Sequence, residues 1–96
     1  MKLRILPSAI EDLSLGFKFY ESQVKNLGSY FLESLFSDIE FLKLNAGIHA
    51  QVFGHYRMLS KRFPFAIYYK KENDTILINA VLDCRRNPAW IKEKLL

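Results

Sequence analysis

The sequence predicts an α+β fold, a small, mostly antiparallel sheet packed by an N-terminal α-helical hairpin, in the order β-α-α-β-β-β-α. Apolar residues recur every three or four positions between residues 8 and 45, which is the period of helices. Beyond Gly47 the period changes, and the segments rich in aromatic and β-branched residues are typical of strands. Glycine, with four residues, and proline, with three, are too scarce to interrupt most of these segments.

A short strand and a helix are predicted at the N-terminus. Lys2–Leu6 alternates apolar and basic residues as a strand does, and Pro7 ends it. Ser8 and Glu11 have the spacing of a capping box, in which each side chain binds a free amide of the first helical turn. The helix that follows has one apolar stripe, formed by Ile10, Leu13, Phe17, Tyr20 and Val24.

A second helix is predicted after Asn26–Gly28, with Ser29 as its cap and its end near Asn45–Gly47. Its broad apolar face consists of Phe31, Leu32, Leu35, Phe36, Ile39 and Leu42. Because the connection between the helices is so short, the two are expected to form an antiparallel hairpin.

Three strands and a last helix are predicted in the second half. The strands are Tyr56–Lys61, Pro64–Lys71 and Thr75–Asp83. Apolar residues fall on both faces of the third of these, which predicts a central position in the sheet. Glu72–Asp74 forms a turn, and the final helix covers Ala89–Leu96.

Length and composition limit the class of protein. The 96 residues, 50% of them hydrophobic, suit a single domain over residues 1–96 and are too apolar for a disordered chain. No apolar run is long enough to span a bilayer, and Met1–Leu6 lacks the apolar region of a secretory signal, so we expect a cytoplasmic protein with no membrane partner. Since Cys84 is the only cysteine and His49 and His55 are isolated, we expect no metal and no other cofactor.

Charge is distributed unevenly along the chain. Residues 1–48 carry five bases and six acids, whereas residues 49–96 carry nine bases and four acids. A basic C-terminal half favours a polyanion or an acidic protein as partner, although a solvated cationic face has the same composition. Neighbouring strands would bring five bases towards one end of the sheet, where they suit phosphate groups: Arg57, Lys61, Arg62, Arg85 and Arg86. Trp90 is expected to anchor the last helix to the sheet, with base stacking as the alternative.

Four segments, in order along the chain, carry a resemblance to a known family. They are Tyr56-Arg57, the aromatic strand Phe65–Tyr69, the apolar strand Ile76–Leu82 and the basic segment Arg85–Trp90. Together with the opening strand and the helix beginning at Ser8–Leu13, they resemble the RelE/ParE toxin superfamily over nearly the whole chain. The resemblance implies the toxin of a bacterial type II toxin–antitoxin (plasmid stabilisation) system, held inactive by a cognate antitoxin in a hetero-oligomer.

The superfamily contains two activities, and the residues of this chain favour one of them. RelE-like members cleave mRNA on the ribosome, whereas ParE-like members bind DNA gyrase and need no nuclease residues. The resemblance keeps Arg57 and one of Arg85 and Arg86, but it places Leu59, Ala66 and either Trp90 or Ile91 where the nuclease has two bases and a tyrosine. Loss of one charge-stabilising group commonly costs about 10²–10³ in rate. We therefore predict a ParE-like gyrase inhibitor that acts by binding and is not an enzyme.

The basic cluster and the apolar faces of the helices are expected to make the contacts with these partners. Those expected to contact the target or a phosphate are Arg57, Lys61, Arg62, Arg85, Arg86 and Trp90. Those expected to bind the antitoxin are Phe17, Tyr20, Phe31 and Leu35. Two alternatives stay open. In a RelE-like endoribonuclease, with the ribosome and mRNA as partners, the active site would consist of Arg57, Arg62, Arg85 and His55, and a degenerate, non-toxic relative would only bind its partner.

Overall fold

Three helices and a five-stranded sheet form the structure, a computed structural model that describes residues 1–96. In chain order the elements are β1 (Lys2–Ile5), α1 (Pro7–Gln23), α2 (Leu27–Asn45), β2 (Gln51–Val52), β3 (His55–Leu59), β4 (Phe65–Glu72), β5 (Thr75–Asp83) and α3 (Pro88–Leu95). The strand order in the sheet is β1-β5-β4-β3-β2, with β1 parallel to β5 and all other pairs antiparallel. The predicted α+β fold and helical hairpin are confirmed, and β2 is an additional short strand in the segment before His55.

The sheet separates two hydrophobic cores. The larger one lies between the helical hairpin and one face of the sheet and includes Leu13, Phe31, Leu35, Ile39, Leu42, Ile67, Tyr69, Ile76, Ile78 and Val81. The smaller one lies on the opposite face, under α3, and consists of Ala66, Tyr68, Ala80, Leu82 and Ile91. Because β5 lies between β1 and β4 and contributes to both cores, its predicted central position is confirmed.

A β-bulge in β5 explains its irregular apolar pattern. Tyr68 pairs with Ala80 but Tyr69 pairs with Ile78, so Asn79 has no partner residue on β4. The extra residue reverses which side chains face the hairpin from that point on. Two side chains of α1 bind the backbone here, since Ser8 Oγ donates to the Asn79 carbonyl (2.7 Å) and the Asp12 carboxylate accepts from the Val81 amide (3.0 Å).

The two helices of the hairpin begin differently from the prediction. The prediction of a capping box at Ser8 is wrong. Helix α1 starts at Pro7 with Leu6 as its N-cap, and the Ser8 hydroxyl donates to the carbonyl of Asn79 in the bulge instead. Pro7 suits the first helical position, where its missing amide leaves no donor unsatisfied. Ser29 does not cap α2 either. Asn26, with a positive φ of 72°, precedes α2, and the Glu21 carboxylate accepts from the Asn26 and Gly28 amides, each at 2.9 Å.

The buried face of α1 is rotated relative to the predicted stripe. Ala9, Leu13 and Gly16 face the core, whereas Ile10 and Val24 are exposed. Gly16 allows this orientation because the two helices approach closely there, and a Cβ added at Gly16 would lie 2.5 Å from Phe31 Cζ. None of the three helices has the length and apolar character needed to cross a bilayer.

Candidate functional site

The bases that were predicted to converge lie in different surroundings. Arg57 and Lys61 share one groove at the edge of β3, whereas Arg85 is bound to an acid and Arg86 lies on an aromatic ring. Arg62 is exposed in the turn between β3 and β4. The structure therefore brings two of the five bases together and separates the others.

Arg57 lies on the sheet face that carries the smaller core. Its Nε donates to the Tyr68 hydroxyl (3.3 Å) and its Nη2 to Cys84 Sγ (3.7 Å). The bond to Tyr68 raises the pKa of Arg57 above its usual value, so the guanidinium is always charged. Leu59 and Ala66 are paired in register on the same face, so the side chains beside Arg57 on that face are apolar.

The groove at the edge of β3, the β3-edge groove, lies between that strand and α2. It has a volume of about 460 Å³ and is lined by Asp38, Phe41, His49, Arg57 and Lys61, among others. Asp38 is buried, and its carboxylate accepts from Ser60 Oγ (2.7 Å) and the Lys61 amide (3.3 Å). It therefore holds the start of the β3–β4 turn, while Lys61 Nζ lies 5.6 Å from the centre of the Phe41 ring.

His49 is bound to the sheet through Tyr69. The Tyr69 hydroxyl accepts from the Gly47 amide (3.0 Å) and has its own proton available for His49 Nδ1. Burial lowers the pKa of His49 and raises the pKa of Tyr69, so both side chains are neutral at pH 7. This contact joins the segment after α2 to the middle of β4.

The ring of His55 is not available to a nucleic acid. His55 is 5% exposed, and its Nδ1 bonds to the Phe53 carbonyl at 3.0 Å within the β2–β3 turn. Its proposed place in a nuclease site is therefore wrong, because the side chain stabilises the turn and does not face solvent.

Arg85 is held by Asp83 in a bidentate pair. Nε lies 3.0 Å from Oδ1 and Nη2 lies 2.7 Å from Oδ2. The hydrogen bonds of Arg85 lower the pKa of Asp83, and those of Asp83 raise the pKa of Arg85. The pair occupies the Nε–Nη2 edge of the guanidinium, so the charge that Arg85 would offer to a phosphate is already offset by Asp83.

Trp90 joins α3 to the smaller core, as predicted. The Arg86 guanidinium lies 3.9 Å from the centre of its ring, and Lys94 Nζ lies 5.5 Å from it. The ring also lines a cavity of about 290 Å³ between α1 and α3, which we call the α1–α3 cavity.

Two of the four residues predicted to bind an antitoxin are inside the protein. Phe31 and Leu35 are 0% exposed and pack in the larger core, so the prediction is wrong for them. Tyr20 is half-buried among aromatic rings, 4.8 Å from Phe63 between ring centres. Phe17 does face outward. It lines a largely apolar groove of about 460 Å³ along the helical hairpin, the hairpin groove, together with Ile10, Leu32 and Phe36.

Comparison with known proteins identifies the fold. No protein-family model matches the sequence, and no curated protein matches it significantly. Among solved structures, a chain of the chromosomal ParDE toxin–antitoxin system from P. aeruginosa matches with a TM-score of 0.77 at 19% sequence identity, over 84% of this chain and 92% of that chain. The fold is ParDE-like. The chain therefore shares its fold with a chain of that system, as the resemblance in the sequence led us to expect.

Several residues of this ParDE-like fold were missed by the sequence pattern. His49 meets Tyr69 only because a turn after α2 brings the segment back to the sheet, and no spacing signals that contact. Leu15 and Phe19 lie outside the apolar stripe predicted for α1, yet they line the α1–α3 cavity. No group of three or more His, Cys, Asp or Glu side chains is arranged to hold a metal ion.

Proposed function

We propose that this protein is the toxin of a type II toxin–antitoxin pair and acts by binding its target. The likeness to a chain of the ParDE system supports the toxin–antitoxin assignment. The observation that carries the proposal is the hairpin groove, a solvent-facing apolar surface on a protein of only 96 residues. Exposed apolar surface of this kind is typical of a site that a partner covers.

An antitoxin helix is the partner that fits the hairpin groove. Ile10 and Phe36 are exposed at its rim, and Phe17 and Leu32 form its walls. An amphipathic helix binds such a groove by inserting apolar side chains spaced three and four residues apart. The contact residues of the hairpin are therefore Ile10, Phe17, Leu32 and Phe36, and the complex is a hetero-oligomer.

The target of the free toxin is DNA gyrase, as in ParE-like proteins, and the protein acts in the bacterial cytoplasm. Two observations support binding over RNA cleavage. Leu59 and Ala66 place apolar side chains beside Arg57, and the Arg85 guanidinium is bound by Asp83. An mRNA-cleaving site needs several unpaired charges aimed at the scissile phosphate.

Induction of this chain alone in bacteria tests the proposal. Growth, plasmid supercoiling and the ends of ribosome-associated mRNA are followed together, and the purified protein is added to a gyrase supercoiling assay. Growth arrest with intact mRNA and stoichiometric inhibition of gyrase is the expected result. Absence of growth arrest would identify a non-toxic relative.

A RelE-like endoribonuclease is the second candidate, and the β3-edge groove favours it. Arg57, Lys61 and His49 lie in that one groove and offer two cations and an imidazole to a phosphodiester. Codon-phased mRNA ends that disappear with Arg57→Ala and with His49→Ala would establish this activity and contradict the gyrase proposal.

A further inference from the structure

A second apolar surface lies on the other flank of α1. Leu15 and Phe19 are 57% and 50% exposed, and both line the α1–α3 cavity. The hairpin groove on the opposite flank contains Ile10 and Phe17. Since α1 also buries a third face against the core, it is apolar around most of its circumference, which is typical of a helix that is covered on several sides.

The acids that line the α1–α3 cavity already have partners within the protein. The Asp12 carboxylate accepts from the Val81 amide at 3.0 Å, and Asp83 is paired with Arg85. Burial raises the pKa of Asp12, an effect that the Val81 amide and the charge of Lys94 oppose.

Two bases line the cavity. Arg86 and Lys94 lie against the Trp90 ring and form no ion pair with a carboxylate. Residues 85–96 as a whole carry four bases and one acid. With Asp83 paired to Arg85, the cavity keeps the two bases Arg86 and Lys94 and one further carboxylate, that of Asp12. The net charge beside the apolar wall is therefore positive, and it suits an anionic ligand.

We propose that the α1–α3 cavity binds an extended acidic segment of a partner protein. One aromatic or large aliphatic side chain of the segment packs against Phe19 and Trp90, and neighbouring carboxylates bind Arg86 and Lys94. The volume of about 290 Å³ is at the lower limit for small-molecule pockets and suits one inserted side chain. The inference rests on the proposed function, because the antitoxin is the protein that would supply the segment.

Other occupants fit the cavity less well. The Arg86 guanidinium already covers one face of the Trp90 ring, so that face is closed to a stacking nucleobase. A second copy of this chain, in a two-fold contact at the cavity, would bring two basic C-terminal segments together, and like charges across an interface repel. An acidic segment has neither disadvantage.

Trp90 provides the measurement, since it is the only tryptophan in the chain and lines the cavity. The probe is a synthetic peptide with one phenylalanine flanked by aspartate and glutamate residues, titrated into the full-length protein. We expect a saturable change in Trp90 emission that weakens at about 1 M salt. A peptide with alanine in place of phenylalanine, and one with lysines in place of the acids, should bind at least about tenfold more weakly.

Matched variants assign the binding to the cavity. Phe19→Ser should weaken peptide binding about tenfold, and Lys94→Glu should weaken it and reduce its salt dependence. Phe36→Ser is the control, because Phe36 is 45% exposed but lies in the hairpin groove on the other flank of α1, and it should leave peptide binding unchanged. If Phe19→Ser does not fold, as judged by circular dichroism, Leu15→Ser takes its place.

Several results would overturn the inference. The first is the absence of a saturable change in Trp90 emission at millimolar peptide. The second is an equal loss of peptide affinity in Phe19→Ser and Phe36→Ser. The third is a homodimer of the unmodified protein that Phe19→Ser dissociates. Induction of the protein in bacteria separates this inference from the proposed function. Growth arrest without peptide binding would reject the cavity and keep the toxin, whereas peptide binding without growth arrest would keep the cavity and reject the toxin.

Discussion

The hydroxyl of Tyr69 connects His49 to the centre of the sheet. Tyr69 is buried in the larger core, and its ring stacks on Tyr56 with 5.1 Å between ring centres. Its hydroxyl also binds the Gly47 amide, so one side chain holds two positions of the segment between α2 and β2. The wall of the β3-edge groove that contains His49 therefore depends on Tyr69 for its position.

Stability should fall when His49 is protonated. Burial places the pKa of His49 below its usual 6.5, so the unfolded chain binds a proton more readily than the folded protein. The folded state then loses stability as the pH falls below the unfolded value. Urea unfolding at about pH 7.5 and about pH 5.5 measures the loss, which should be smaller in His49→Gln. Equal losses in both proteins would show that other groups cause the pH dependence.

Gly16→Ala should destabilise the protein although alanine favours helices. Alanine in place of glycine ordinarily stabilises a helix interior by up to about 1 kcal/mol. At this position the new Cβ would lie 2.5 Å from Phe31 Cζ, and such overpacking costs about 1–3 kcal/mol. Chemical denaturation gives the free energy of unfolding, with Ser14→Ala, an exposed position on the same helix, as the control. A stabilised Gly16→Ala protein would mean that the two helices are farther apart.

Asp38→Ala should destabilise the protein far more than Glu40→Ala. Asp38 is buried and accepts hydrogen bonds from the Ser60 hydroxyl and the Lys61 amide, and loss of these bonds costs about 1–3 kcal/mol. Glu40 pairs with Lys43 at the surface, where an ion pair contributes less than about 1 kcal/mol. Thermal or urea unfolding of both variants distinguishes the two residues, and similar losses would place Asp38 at the surface.

Phe31→Ala should lower the free energy of unfolding much more than Phe36→Ala, because Phe31 lies in the core and Phe36 lies on the proposed binding surface. Phe31 is fully buried, so its truncation should cost about 3–5 kcal/mol of unfolding free energy. Phe36 lies at the rim of the hairpin groove, and its truncation should cost less than about 1 kcal/mol. The comparison is made by urea unfolding in the absence of any partner. A large loss for Phe36→Ala would argue that this side chain belongs to the core.

Local periodicity was sufficient to predict the order of the main elements. Ile39 and Leu42, on the predicted apolar face of α2, are buried, because a helix of this length has one face towards a sheet. The three consecutive strands were likewise predictable from their composition and the short turns between them. Contacts between such neighbours are decided mainly by residues close in the chain.

The arrangement of the site depends on contacts between distant residues, which the periodicity of the sequence does not predict. The bulge at Asn79 reverses which side chains of β5 face the hairpin. It also determines where the Ser8 and Asp12 side chains bind the backbone of β5. The orientation of α1 follows from the close approach at Gly16, and this orientation exposes Phe19 beside α3. The five bases do not form one cluster, because some of them have different contacts within the protein. Arg85 is paired with Asp83, and Arg86 lies on the Trp90 ring.

The pairing of β1 with β5 joins two strands that are far apart in the sequence. Lys2–Ile5 lies in register with Thr75–Ile78, so the first strand has no partner until residues 75–78 have left the ribosome. The helical hairpin, by contrast, is formed by neighbouring segments and is translated early. We therefore expect a nascent chain whose helices are present before the sheet that covers their apolar face exists. During that interval the apolar face of the hairpin is exposed, so a partner or a chaperone could bind the face that the folded protein buries against the sheet.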